Sequence, residues 1–301
     1  MNKRLFYLQR SFKLNTALTV FVLFILCSSA YSQNKTTGFA AIEGGGGAKL
    51  YYEAAGKGKN VVLIHGGLND SRLWDDQFDE FAKDFRVIRY DLRGFGRSDF
   101  SYGPYSHVED LVALMKYLKV EKASLVGVSL GGIIAADLAL DHPEMVEKLI
   151  LTSSGLRGDK QPRNEKSAAA YKAAEEKGKD AAIEMWLEHP FFVLGKNDKK
   201  YVKRARQMLS DNYRFWGPTP QLIQLTWGKY LTIDRLAEIK APTLVLVGDK
   251  DIPQILTISD TLQKNIKGAE KVIIPGASHH ICMDQPREFN KKVRTFLKQN
   301  R

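Results

Sequence analysis

The stretch Ser124-Leu125-Val126-Gly127-Val128-Ser129-Leu130-Gly131-Gly132-Ile133-Ile134-Ala135-Ala136-Asp137-Leu138-Ala139-Leu140 reads as a strand, a tight turn and a helix in immediate succession. The apolar run up to Val128 suits a strand covered on both faces, as in a parallel sheet. The following helix is apolar nearly all round, the pattern of a helix packed inside a protein. Between them lies Gly127-Val128-Ser129-Leu130-Gly131, a G-x-S-x-G turn. Such a turn holds the serine in a strained backbone conformation, with its hydroxyl clear at the strand's C-terminal end. The flanking positions must lack side chains for the chain to turn this sharply.

Working outward, the strand pattern recurs. Ala48–Ala54 is a first strand candidate. Val61–Ile64, Arg86–Tyr90, Leu149–Leu151, Thr243–Val247 and Lys271–Ile274 are short runs of the buried type. Helical stretches at 71–83, 106–118, 130–141 and 285–298 alternate with them. Alternating strands and helices predict a mostly parallel, doubly wound α/β sheet. Residues 34–48, Gly- and Thr-rich, read as an approach segment and a turn. Residues 156–235 break the rhythm, with helical stretches at 164–189, 198–210 and 220–230 and no strand of the same type. The economical account is a helical insertion within one α/β domain.

A serine hydroxyl is a poor nucleophile at neutral pH and needs a base, and that base needs an orienting partner. After such an elbow the acid and then the histidine follow in chain order. Gly248-Asp249-Lys250-Asp251 follows one strand, and Pro275-Gly276-Ala277-Ser278-His279-His280 follows the next. Both loops leave strand C-termini, the edge where open α/β sheets bind ligands. Asp249 stands directly after its strand and is expected to shape the turn. Asp251, deeper in the loop, is the candidate acid, and His279 is the candidate base beside a neighbouring wall or surface residue, His280. The candidate oxyanion donors are the backbone amides of Leu130, after the nucleophile, and of Gly67 in His65-Gly66-Gly67. His65 is expected to fix that loop by hydrogen bonds. Asp91-Leu92-Arg93-Gly94-Phe95-Gly96-Arg97-Ser98 lacks the Gly-Lys-Ser/Thr ending of a phosphate loop and reads as structural. Cys282 reads as a small packing residue. The His and Cys spacings of a zinc site are absent from the sequence, and the chemistry needs no metal or organic cofactor.

The 301 residues are 44% hydrophobic and 26% charged, which excludes disordered, collagen-like and polytopic membrane chains. A net charge of +11 raises nucleic acid or an anionic surface as partners, but no nucleic-acid motif accompanies it. Part of the charge belongs to residues 1–32, which hold Lys3, Arg4, Arg10 and Lys13, then the apolar run Ala17–Leu26, then small residues. That is the layout of a secretory signal peptide, cleaved after Ala30 or Ser32. It predicts a periplasmic or secreted protein without an integral span, the alternative being an uncleaved N-terminal anchor. The remainder carries 41 Lys+Arg against 34 acids, and residues 156–235 alone hold 16 against 10. The basic excess therefore belongs to the insertion, where it could favour anionic substrates or membrane surfaces. Removal of Cys27 with the signal leaves Cys282 as the lone thiol, so no intrachain disulfide is possible.

Taken together, His65-Gly66-Gly67, Asp91–Ser98, Gly127–Gly132, Gly248–Asp251 and Gly276–His279 resemble the α/β-hydrolase superfamily over residues 48–155 and 236–299. The resemblance implies Ser129, Asp251 and His279 as catalytic triad and Gly67 and Leu130 as oxyanion donors. It implies a core at 33–155 and 236–301 and a helical cap at 156–235. It is closest to small esterases, enol-lactonases and carbon–carbon bond hydrolases. Ser129 stands where haloalkane dehalogenases and epoxide hydrolases carry Asp. Leu68-Asn69 and Leu130 depart from the prolyl iminopeptidase pattern. The cap supplies candidate pocket residues Trp186, Phe191, Phe192, Phe215 and Trp216, with Tyr213 and Trp227 beside them, and predicts a largely apolar pocket. The expected activity is hydrolysis of a carboxylic ester, thioester or lactone of a small molecule. The alternatives are a carbon–carbon bond or enol-lactone hydrolase and a non-catalytic small-molecule receptor. The natural substrate and the oligomeric state are not legible in the sequence.

Overall fold

The computed structural model of the chain describes residues 35–42, 47–100, 103–160, 165–217 and 225–300, the Phe215 side chain excepted. The expected signal at 1–32, most of the four-glycine run and cap residues 161–164 and 218–224 lie outside the described residues. No helix among the described residues is long and apolar enough to cross a membrane.

Eight strands form one sheet: β1 (Thr36–Ile42), β2 (Ala48–Ala55), β3 (Asn60–Ile64), β4 (Arg86–Tyr90), β5 (Ala123–Val128), β6 (Val146–Thr152), β7 (Thr243–Gly248) and β8 (Glu270–Ile274). Their spatial order is β1-β2-β4-β3-β5-β6-β7-β8. The β1–β2 and β2–β4 pairs are antiparallel, and every pair from β4 through β8 is parallel. Strand β5 sits in the middle and is buried along its whole length. Helices α1 (His107–Tyr117) and α2 (Leu130–Asp141) follow β4 and β5 in sequence. Helix α2 is buried on nearly every side, consistent with its uninterrupted apolar sequence.

Between β6 and β7 the described residues form helices and turns: α3 (Glu165–Glu176), α4 (Lys179–Leu187), α5 (Lys199–Asp211) and shorter pieces. Helix α6 (Pro253–Asn265) then joins β7 to β8, and α7 (Pro286–Lys298) closes the chain. The inserted segment is tied to the core by ion pairs. Arg204 Nη2 lies 2.7 Å from Asp76 Oδ2, Arg235 Nη1 lies 2.7 Å from Asp141 Oδ1, and Arg157 pairs with the buried Asp137. Part of its positive charge is thus matched by acids of the core.

Several local expectations differ from the structure. Residues 36–42, read as an approach segment, form edge strand β1, whose small residues gain their order from pairing with β2. The helix expected at 71–83 is a short turn at Ser71–Trp74 and a separate helix at Phe78–Phe81. The backbone of Ser71 is claimed elsewhere: its N–H donates to Asp91 Oδ1 at 2.7 Å and its carbonyl accepts from Arg89 at 3.1 Å. The stretch 164–189 is two helices, broken at Gly178 with φ +83. Residues 225–230 of the expected 220–230 helix are not helical; Leu225 bridges Tyr105, and Thr226 N–H donates to the Tyr105 carbonyl at 2.7 Å. Helix α6 is not among the helices expected from the sequence; it opens with Pro253 in the first turn, where its missing N–H costs nothing.

Candidate active site

The elbow has the geometry its sequence demands. Ser129 sits at φ 54, ψ −111, a left-handed conformation for a non-glycine residue, between β5 and α2. A Cβ on Gly127 would stand 2.2 Å from the Gly131 carbonyl oxygen, and one on Gly131 would stand 2.2 Å from the Ile64 carbonyl oxygen. Both positions therefore require glycine, and the second fixes how closely α2 approaches β3. Ser129 Oγ makes no hydrogen bond among the described residues and faces a cavity of about 230 Å³.

The loop after β3 lies against the elbow. A Cβ on Gly66 would be 3.4 Å from Ser129 Cβ, and one on Gly67 would be 3.8 Å from Leu130 Cδ2. Leu130 is the first residue of α2, so its N–H has no intrahelical acceptor. Gly67 and Leu130 thus lie beside each other on the cavity that Ser129 faces. His65 pins this loop: Leu92 N–H donates to its Nε2 at 2.9 Å, and Nδ1 reaches the Gly66 carbonyl at 2.8 Å. Burial pushes the His65 pKa down, so the ring stays neutral. The Asp91–Ser98 turn is held internally, with Asp91 Oδ2 accepting the Arg97 N–H at 2.9 Å and Ser98 donating to the Asp91 carbonyl at 2.6 Å.

The loops after β7 and β8 bring Asp251 and His279 together. His279 Nδ1 lies 3.1 Å from Asp251 Oδ2 and 3.2 Å from Oδ1, and both side chains are buried. Asp251 Oδ1 also accepts the Ile252 N–H at 2.8 Å. Asp249 braces the same two loops, accepting the Gly276 N–H at 2.7 Å. His280 is buried rather than at the surface; its Nδ1–H donates to the Phe191 carbonyl at 2.9 Å, and the Asn69 amide stands 3.1 Å from Nε2. Burial, with His279 beside it, holds the His280 pKa well below the ordinary range. Cys282 is wholly buried and its thiol pKa is pushed up by that burial.

Ser129, Leu130, Gly67 and His279 line one cavity, together with Leu68, Asn69, Ser167, Tyr171, Trp186, Phe191 and His280. Phe191 stacks on the His279 ring, with centroids 3.7 Å apart and planes at 14°. The Phe191 segment is fastened on both sides of that histidine, since Ser278 Oγ donates to the Pro190 carbonyl and His280 to that of Phe191. Of the aromatic residues expected in the pocket, Trp186 and Phe191 line it. Phe192 does not: it is buried against His280, with centroids 4.5 Å apart. Trp216 does not either; it packs on Tyr213 and Trp186, and its Nε1–H donates to the Leu209 carbonyl at 2.9 Å. Trp227 lies under the Arg157 guanidinium. The Phe215 side chain lies outside the described residues. Ser167 and Tyr171, not anticipated from the sequence, come from α3. The signal for Ser167 was present: it is the one hydroxyl on the buried Ala170, Ala173 and Ala174 face of that helix.

A model of the alpha/beta hydrolase fold matches residues 59–286. The chain belongs to that family, and it is a hydrolase. Its relatives include the pimeloyl-[acyl-carrier protein] methyl ester esterase of Aliivibrio salmonicida, 28% identical over 82% of this chain and 95% of that protein. Among solved structures, Est816, described as an N-acyl homoserine lactone degrading enzyme, is 30% identical with a TM-score of 0.69. That likeness covers 85% of this chain and 99% of Est816. The enol-lactonase of Burkholderia xenovorans LB400 is 25% identical with a TM-score of 0.73, covering 87% of this chain and all of that one.

In this alpha/beta hydrolase, one further carboxylate touches the histidine loop. Asp284 Oδ2 accepts the Ser278 N–H at 2.8 Å. Burial pushes the Asp284 carboxyl up to about 6 from 3.8, against the lowering effect of that hydrogen bond. A carboxyl whose pKa is higher folded than unfolded binds its proton more tightly in the fold. Its ionisation therefore destabilises the fold progressively from pH 3.8 to about 6, and fully above. Asp284→Asn keeps an acceptor for Ser278 and removes the charge. The variant is expected to be more stable than the native chain by about 1–2 kcal/mol at pH 7.5, and that gain should fall to roughly a third of this at pH 4.5. Urea unfolding at both pH values tests this; an equal stability difference at the two would refute it.

Proposed function

We propose that this alpha/beta hydrolase cleaves acyl–oxygen bonds of carboxylic esters and lactones through an acyl-enzyme on Ser129. His279 takes the Ser129 proton as Oγ attacks the carbonyl carbon, while Asp251 accepts the Nδ1–H and steadies the imidazolium. The Gly67 and Leu130 amides donate to the carbonyl oxygen as it gains charge. His279 then gives its proton to the departing alcohol oxygen. A water deprotonated by His279 attacks the acyl carbon and releases the acid, restoring Ser129.

The observation that carries this reading is the His279–Asp251 pair opening onto the same cavity as the strained, unbonded Ser129. The relatives support the bond type: a methyl ester, an acyl homoserine lactone and an enol-lactone each present a carbonyl attached to oxygen. The small cavity favours a short acyl group, and its lining is mixed rather than largely apolar: Leu68, Leu130, Tyr171, Trp186 and Phe191 stand beside Asn69, Ser167 and His280. A panel of p-nitrophenyl acetate, butyrate and octanoate with thioester and lactone counterparts tests it. Short acyl esters are expected to turn over faster than octanoate. Binding without turnover of any member would assign the site to a receptor, and cleavage of carbon–carbon substrates alone would assign it to that chemistry.

A further inference from the structure

Ser167 stands in the cavity wall on α3, and it is only 7% exposed. Its Oγ lies 3.0 Å from His189 Nε2. The protons of this pair can be placed. The Phe191 backbone N–H donates to His189 Nδ1 at 3.1 Å, so Nδ1 holds a lone pair. Burial first, and His279 nearby second, lower the His189 pKa to about 4, so the ring is neutral at ordinary pH. A neutral imidazole carries one N–H, which must then sit on Nε2. That N–H donates to Ser167 Oγ. The hydroxyl's own proton is left over, and Ser167 makes no other hydrogen bond among the described residues. A buried O–H aimed into a ligand cavity without an acceptor is costly unless the ligand supplies one.

We infer that Ser167, set by His189, is a binding residue that donates its O–H to a hydrogen-bond acceptor on the substrate beyond the scissile bond. The fitting chemistry is an ether, keto or amide oxygen on an otherwise apolar chain, because the walls around Ser167 are Tyr171, Trp186 and Phe191. This inference rests on the acyl-oxygen hydrolase reading and adds to it a subsite with a stated polarity. His189 acts as the positioning residue: its N–H takes one of the two lone pairs of Oγ and so fixes the hydroxyl with its own O–H left to donate. It also joins the subsite to the reacting centre, since the next aromatic in the chain, Phe191, stacks on His279.

The test compares native protein with Ser167→Ala on hexyl hexanoate and on its isosteres. In each isostere one ether oxygen replaces a methylene, stepped first through the acyl chain and then through the alkyl chain. Proton release on hydrolysis gives kcat/KM. Ser167→Ala strands the His189 N–H and lowers every rate to some degree, so the readout is the native-to-variant ratio for each ether relative to the parent. For at least one ether position that relative ratio is expected to be roughly three- to tenfold, the worth of one neutral hydrogen bond. A ratio equal across the parent and all ethers would overturn the subsite while leaving the hydrolase reading intact. Absence of any ester turnover by the native protein would bring down the hydrolase reading and this inference together.

Discussion

Ser129→Ala is expected to lower turnover of the best ester in the panel by ~10³-fold or more, with the fold unchanged. The chemistry is simple: the variant has no oxygen to form the acyl-enzyme. The structural cost is small for a reason visible at the elbow. Ser129 Oγ makes no hydrogen bond among the described residues, so its removal strands no partner. The strain at φ 54 is a property of the backbone and is shared by alanine. Unfolding free energy should therefore move by less than about 0.5 kcal/mol. On the proposed mechanism the rate enhancement need not fall to zero, because the Gly67 and Leu130 amides and the cavity would still bind and polarise a carbonyl. A variant keeping a tenth or more of native turnover would remove Ser129 from the mechanism and leave the elbow a structural turn.

The features that give the site its place in the fold are local, which is why they could be read from the chain. A glycine flanked on one side by a buried strand and on the other by an all-apolar helix has few conformations open to it. Gly127 and Gly131 are fixed by backbone oxygens 2.2 Å from where a side chain would begin, and no alternative residue satisfies that turn. Asp251 and His279 were legible by the same token, since each lies in the loop just past a short apolar strand, although β8, at the sheet edge, is only partly buried rather than of the buried type its sequence suggests. Lining residues from the insertion were not. Trp186, Phe192 and Trp216 look alike as aromatic residues on helices; which one reaches the cavity depends on how α3, α4 and α5 pack, a tertiary matter. Ser167 shares helical spacing with Ala170, Ala173 and Ala174, but only the packing of α3 shows that this face is the buried one.

The basic insertion shows the same division. Its excess of Lys and Arg is plain in the sequence, but its use is not. Arg157, Arg204 and Arg235 meet Asp137, Asp76 and Asp141 of the core, so these three serve as attachments. Lys177, Lys179, Lys199 and Lys200 are solvent-exposed or nearly so. Cations engaged in docking the insertion contribute little field at the pocket, and exposed lysines are screened within about 8–10 Å at physiological salt. Three of the insertion's sixteen cations are thus accounted for by how it is held to the core.

Asp251→Asn tests the other half of the mechanism, and its effect should be nearly as large. The carboxylate presents two acceptor oxygens to His279 Nδ1, at 3.1 and 3.2 Å, and this holds the ring proton on Nδ1. Nε2 is then left with the lone pair that must take the serine proton. The amide that replaces the carboxylate can keep the Ile252 N–H on its oxygen, and its NH₂ then faces Nδ1. That favours the opposite tautomer, with the proton on Nε2, where a base is needed. It also removes the negative charge that steadies the imidazolium. A loss of ~10³- to 10⁴-fold in kcat is expected, with KM changed by no more than a few-fold, because no substrate contact is lost. The double variant Ser129→Ala/Asp251→Asn distinguishes this account from a general loosening of the loops. Residues acting as one unit are not additive, so the double variant should be no slower than Ser129→Ala alone. A further drop in the double variant would mean that Asp251 works through something other than the His279–Ser129 proton transfer.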